Sequence, residues 1–427
     1  MPKSPRTKLP DWVQQLIDEL TRPPYFLEPG NSGNRNVGGK RSQPAGEQET
    51  PYEARRDAGH EHQESAYRAH RAEDAGRNRA TQATARAHTS AEPTRVPKSV
   101  LAKYDLAPTK REQLLGVEQV TTEDGQRYAV KRASVAPARV RFIHRALMYA
   151  RKQGFTRYAP FVLNKQKSPV AIDEGQAYYV TKWIDGQTAN FASAEHVAQT
   201  AYTLAQFHEA TRGFVSEKYA PADAFDLFGM LQRRTRDLRQ MLIRADAKRD
   251  KDAFDALLLS LRDSLLDDAA HSLHLVDDAE AIAFLAEDKD EAGLCHLDVI
   301  PGNCLYTPDH HVCLIDFDLA TYAPRALDMA HLLRRSFQAS DWNGELAYAC
   351  FLHFDAVRAI PRVEYRLVES LLRFPYLPWR LAHTRYRYFA SESQLDELQR
   401  YALQGEKRQA FLSSLADQIE HLGEQEE

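Results

Sequence analysis

Apolar and polar positions follow two different periods along the chain, and the changes of period mark its parts. Between Val117 and Ala133 two β-prone runs flank Glu123-Asp124-Gly125-Gln126, a turn signal. This predicts a hairpin whose second strand, Arg-Tyr-Ala-Val-Lys-Arg, ends near Lys131. From Pro137 the period becomes helical, with Val140, Ile143, Leu147 and Ala150 on one face as far as Gly154. Ala177 to Ile184, rich in aromatic and β-branched residues, predicts a strand closed by Asp185-Gly186. Beyond it helical spacing dominates. Val197, Ala201, Leu204 and Phe207 predict a core helix over 195–210. Residues 225–270 predict two more, one on Leu227, Leu231, Leu238 and Met241, the next on Phe254, Leu258, Leu261 and Leu265, parted by the charged run Lys248 to Asp252.

The N-terminal part reads differently. Residues 11–20 place Trp12, Leu16, Ile17 and Leu20 at helical spacing and predict a short helix. From Asn31 to Arg95, Val37 is the only residue among Val, Ile, Leu, Met, Phe and Trp. Such a segment cannot bury enough apolar surface to offset its chain entropy, so most of 1–97 is expected to be a disordered extension.

Composition narrows the partners. The 427 residues carry 56 Lys and Arg against 60 Asp and Glu, intermixed, with a net charge of −4, which gives no reason to expect nucleic acid. There is no run of 18 apolar residues and no apolar leader, so no membrane partner is expected either. Cys295, Cys304, Cys313 and Cys350 form no Cys-x-x-Cys pair and read as small buried residues.

The chemistry is concentrated in residues 294–318. His296, Asp298 and Asn303 satisfy His-x-Asp-x4-Asn, the spacing by which one loop places a proton-accepting Asp and a metal-binding Asn. A short apolar strand, Val312 to Ile315, then delivers Asp316 and Asp318, and a Pro-Asp turn between Thr307 and His311 folds the stretch into a hairpin that brings Asn303 and Asp316 together. That closeness suits a magnesium ion on triphosphate oxygens, which takes one or two protein oxygens and keeps several waters. Asp328, in the first turn of a helix over 326–335, is placed to brace the loop, and Arg373 to Arg380, with two prolines and three aromatics, predicts a packed corner.

In this order the pieces resemble the aminoglycoside phosphotransferase and choline kinase superfamily. Within it they resemble the bacterial spore-coat kinase-like (CotS-type) family, through Leu-Ala-Gln-Phe-His-Glu-Ala-Thr at 204–211 and Phe-Pro-x-x-x-Trp-Arg at 374–380. The resemblance implies an α+β, bilobal protein-kinase-like fold, with the N-lobe and hinge in 98–184 and a helical C-lobe in 185–420 that holds the catalytic loop 296–303 and the metal-binding segment 315–318. It implies that Asp298 accepts the proton of an attacking hydroxyl while His296 orients the loop. Asn303 and Asp316 would hold Mg2+ with help from Asp318, Lys131 would grip the phosphates of ATP, and the backbone of Thr181, Lys182, Trp183 and Ile184 would hold the adenine. The implied function is transfer to a hydroxyl of a small molecule or coat component. The alternative is a non-catalytic structural or assembly protein with other spore-coat proteins as partners; either form would be made in the mother-cell cytoplasm and end on the coat. Two departures stand out. No acidic residue lies between Lys131 and Asp173, so the following helix offers Lys131 no partner and instead carries Arg139, Arg141, His144, Arg145 and Arg151; and Gly116 stands alone where a glycine-rich phosphate loop is usual. Nothing in the helical insertion or the corner marks an aminoglycoside, choline or sugar as acceptor.

Overall fold

The computed structural model describes residues 95–426 except 115, 217–225 and 291–292. The helix expected at 11–20 and the polar extension up to residue 94 lie outside the described residues. A short helix α1 (Lys98–Lys103) leads into β1 (Pro108–Leu114), β2 (Val117–Thr122) and β3 (Arg127–Arg132), and the sheet is completed by β4 (Phe161–Val162), β5 (Val170–Asp173) and β6 (Gln176–Lys182). Its order is β1-β2-β3-β6-β4, with β5 also on β6 and every pair antiparallel. The β2–β3 turn is the expected one. Gly125 takes φ +76° there and donates its N–H to Thr122 O at 3.0 Å, a conformation glycine adopts without a Cβ clash. Alternation divides β6 between two cores: Tyr178 and Val180 pack with Val130, Val100 and Leu101, while Ala177 and Tyr179 face the other way with Val140 and Val170. Lys131 is opposite Tyr179 in the β3–β6 register and therefore shares that second face.

Pro137 opens α2 (Pro137–Lys152) at its first turn, where its missing N–H costs nothing. The helix packs on two sides: Val140 faces the sheet, while Phe142, Ile143, Leu147 and Ala150 share one core with Val197, Leu204 and Phe207 of α3 (Ala194–Thr211), which follows β7 (Gln187–Thr188) and is capped by Ser193. Next come α4 (Leu227–Asp246), α5 (Ala253–Ser260), α6 (Arg262–Val276) and α7 (Ala279–Asp290). The second helix expected in 225–270 is thus two helices, broken at Leu261. Both pack on α4, and they differ in the second partner, α5 packing on α12 (Ser393–Leu403) and α6 on α10 (Arg362–Arg373). A capping box between Asp252 and Asp255 starts α5.

After β8 (Leu294–Cys295) the hairpin β9 (Cys304–Tyr306) and β10 (Val312–Leu314) joins β7 in a three-stranded sheet, and β11 (Thr321–Tyr322) pairs with β8. The chain ends in helices: α8 (Ala326–Ser340), α9 (Gly344–Asp355), α10, α11 (Tyr376–Arg387), α12 and α13 (Gly405–Glu426). The corner between α10 and α11 falls at Phe374-Pro375, with Trp379 buried beneath it. This is the α+β bilobal arrangement expected, and all four cysteines are buried and free.

Candidate active site

The hairpin register pairs Cys304 with Leu314, and Ile315 N–H donates to Asn303 O at 3.0 Å, so Asn303 and Asp316 emerge at the same end. The loop before them is held from below by Asp328, which is fully buried at the start of α8. Its carboxylate accepts from His296 N at 2.7 Å, Leu297 N at 2.8 Å and His208 Nε2 at 2.8 Å. Burial works to raise this carboxyl, but the His208 bond and the charges and amides around it hold it below the usual carboxylate range. Those bonds secure Leu297 at φ +62°, a left-handed backbone that costs a non-glycine residue about 1–2 kcal/mol. His296 Nε2 donates to Ile315 O at 2.9 Å while its Nδ1 accepts from Asp298 N at 3.3 Å, so the imidazole ties the loop to the strand leading to Asp316. Asn303 Nδ2 in turn donates to Asp298 Oδ2 at 2.7 Å and to Asp298 O at 3.0 Å. The Asp298 carboxylate is thereby fixed in direction.

Lys131 arrives from the N-lobe. Its Nζ donates to Asp316 Oδ1 at 2.5 Å and Asp318 Oδ2 at 3.1 Å. Burial pulls the ammonium pKa down, but the two carboxylates outweigh it and hold Lys131 above its ordinary value, protonated. The partner that α2 lacks is therefore supplied by Asp318. Asp318 Oδ1 accepts from Tyr179 OH at 3.0 Å, and Oδ2 from Ser134 Oγ at 2.9 Å as well as from Lys131. Asp316, at φ +61°, is about one-third exposed. Burial together with the charges of Asp318 and Asp298 pushes its carboxyl up against the pull of Lys131. Of the basic residues on α2, Arg139 is buried and donates to the main-chain oxygens of Asp318 and Ala320, which anchors the acidic segment to that helix.

The expected residues thus fall into two groups. His296, Asp298, Asn303, Lys131, Asp316 and Asp318 are brought together through the bonds above. Thr181, Lys182, Trp183 and Ile184 lie at the end of β6 and just beyond it. Lys182 and Trp183 donate their N–H groups to Pro160 O at 2.9 Å and Arg127 O at 3.0 Å, within the sheet and its margin. Gly116 makes the β1–β2 turn at φ +73°. Ser134 and Tyr179 were not singled out from sequence; the alternation of β6, which puts Tyr179 on the Lys131 face, was the available signal. An open groove of about 840 Å³ bordered by Tyr149, Arg157, Gln206, Glu209 and Arg212 includes none of these residues.

A family model described as "Phosphotransferase enzyme family" matches residues 117–362. Spore coat protein S of Bacillus subtilis (strain 168) is 22% identical over 306 residues, 70% of this chain and 86% of that protein. A solved aminoglycoside phosphotransferase from Alicyclobacillus acidocaldarius subsp. acidocaldarius DSM 446 is 57% identical, with a TM-score of 0.74 over 78% of this chain and 99% of that one. A spectinomycin phosphotransferase, solved with ADP and spectinomycin, shares the fold at 14% identity, with a TM-score of 0.53 over 74% of this chain and 99% of its own.

Proposed function

Because the chain belongs to the phosphotransferase enzyme family, we propose that it transfers the terminal phosphoryl group of ATP, with Mg2+, to a hydroxyl of an acceptor. The observation that carries this reading is the convergence of Lys131 from the N-lobe with Asp316, beside an Asp298 carboxylate aimed by Asn303. The donor set suits a divalent cation. The charges of Asp318 and Asp298 both act on Asp316, and Lys131 is the cation that offsets them there. Asn303 and Asp316 are the residues to hold magnesium, with Asp318 contributing through Lys131. The ion, when bound, supplies neutralisation of phosphate charge.

The chain's own groups do the rest. Asp298, fixed by Asn303 and by the braced loop, accepts the proton of the acceptor hydroxyl. Lys131, kept protonated and aimed by Asp318, neutralises phosphate oxygens. His296 keeps Asp298 and Asp316 in register. The hinge at Thr181 to Ile184 offers backbone groups to the adenine, with the Ile184 N–H as the donor beyond those already bonded in Lys182 and Trp183. Phosphoryl transfer asks mainly for such positioning and charge neutralisation. The similarity to spore coat protein S supports a place on the spore coat. It also favours a second reading, a non-catalytic coat protein with other coat proteins as partners.

Slow transfer to water separates the two readings. ADP formation from ATP by the purified chain should require Mg2+ and fall by at least about a hundredfold in Asp298→Asn. Equal rates in the two proteins, or none in the wild type, would leave the coat-protein reading.

A further inference from the structure

The apolar stripe of α4 contains a charge: Arg234 lies at helical spacing with Leu227, Leu231 and Leu238. It is only 6% exposed, and its Nε has no hydrogen-bond partner. Its guanidinium stands 5.2 Å from the ring centre of Tyr376 and 4.8 Å from that of Trp379, at the start of α11. Arg334 of α8 stands 4.5 Å from the Tyr376 ring and donates to Leu371 O at 3.0 Å. Arg335 follows it. Arg380, 5% exposed, pairs with Glu397 at 2.8 Å but leaves its Nε unpartnered, as is the buried Trp379 Nε1.

Among the described residues, Glu397 is the only carboxylate that forms an ion pair with any of these four arginines. Burial brings Arg234 and Arg334 down to about 10; the charge of Arg233 acts in the same direction on Arg234, and those of Arg234, Arg335 and Arg380 do so on Arg334. The cluster is also within electrostatic reach of the reaction site, since the Asp298 carboxylate is among the charges that act on Arg335. Unpaired buried guanidinium groups are costly, and an incoming anion relieves that cost.

We propose that Arg234, Arg334, Arg335 and Arg380, set against Tyr376 and Trp379, bind an oxyanion, phosphate or carboxylate, carried by the acceptor whose hydroxyl is presented to Asp298. This rests on the phosphotransferase reading and narrows it to an anionic acceptor. Cationic acceptors meet like charge here and are rejected.

The test is calorimetric titration of the full chain with sulfate and with acetate, for wild type, Arg334→Gln, Arg335→Gln and Lys131→Ala. Arg334 and Arg335 are only partly buried, so these substitutions spare the core. Wild type should bind at least one anion in the millimolar range, with sulfate favoured for a phosphate-bearing acceptor and acetate for a carboxylate. Each arginine change should weaken binding at least about tenfold, whereas Lys131→Ala should leave it unchanged. No binding by wild type, binding undiminished in both arginine variants, or binding lost in Lys131→Ala, which would place the ion among the nucleotide residues, overturns the proposal. Titration of the same proteins with MgATP keeps the two readings apart. ATP bound normally by the arginine variants separates the anion site from the nucleotide site. Anion binding in a chain that fails to bind ATP leaves the arginine site standing and removes the phosphotransferase reading.

Discussion

Asp328→Asn changes one atom type at a fully buried point on which the loop from His296 to Asn303 rests. The carboxylate accepts three hydrogen bonds, two from the loop backbone and one from His208. An asparagine in its place retains one acceptor oxygen and turns an amide NH2 toward a donor. At least one buried N–H is then unsatisfied, at about 1–3 kcal/mol, and the remaining bonds lose charge assistance worth about 1 kcal/mol. Relaxation of Leu297 from its left-handed backbone returns part of this, about 1–2 kcal/mol. The net expected loss is about 1–2 kcal/mol, a sizeable fraction of a total stability of about 5–15 kcal/mol. Urea unfolding should show a lower midpoint at unchanged slope. The ATP-to-ADP rate should fall as well, because Asp298 follows Leu297 directly. A loss below about 0.5 kcal/mol, with full activity, would show that the brace does not hold the loop.

Asp318→Asn should weaken MgATP binding by about tenfold while leaving the fold intact, since one of the Tyr179 and Ser134 hydroxyls still donates to the amide oxygen, the other can accept from the amide NH2, and Lys131 loses its second carboxylate; unchanged affinity would mean that Lys131 is aimed by Asp316 alone. Stability should decline on acidification through His331, which burial first, and then Arg334, Arg335 and Arg234 against the opposing Asp328, push down to about 3. Between that value and the unfolded value of about 6.5 the unfolded chain binds the extra proton, so stability present at neutral pH is lost as pH falls, by about 1–2 kcal/mol at pH 5. Asp328, held below the ordinary carboxylate value, adds a loss in the same direction below about pH 4. Unfolding midpoints of wild type and His331→Asn from pH 7 to 5 should diverge accordingly, and parallel curves would refute the His331 assignment.

The helices and hairpins were legible because their signals are local. The Glu123 to Gln126 turn, the stripe opened by Pro137 and the loop-strand-turn-strand reading of 294–318 each depend on residues close in sequence. The break at Leu261 was not legible, since an apolar stripe runs through it and only tertiary partners pull the two halves apart. The partner of Lys131 shows the same limit. Sequence reasoning looked for it on the next helix, where kinase-like folds commonly place it, and found arginines. The carboxylate comes from 187 residues further along, and Arg139 fixes that segment to the same helix. Such contacts have no spacing rule. The arginine cluster did leave a trace, a charge at position 234 within a leucine stripe, which reads as core unless the charge itself is asked for its partner.

The most direct measurement is titration of the wild-type chain and Asp316→Ala with ATP, each with and without Mg2+. The account predicts binding by wild type that requires Mg2+, lost or reduced by at least about a hundredfold in Asp316→Ala while the unfolding midpoint stays near that of wild type. Equal ATP binding by the two proteins, or the same affinity in wild type with and without Mg2+, would contradict it.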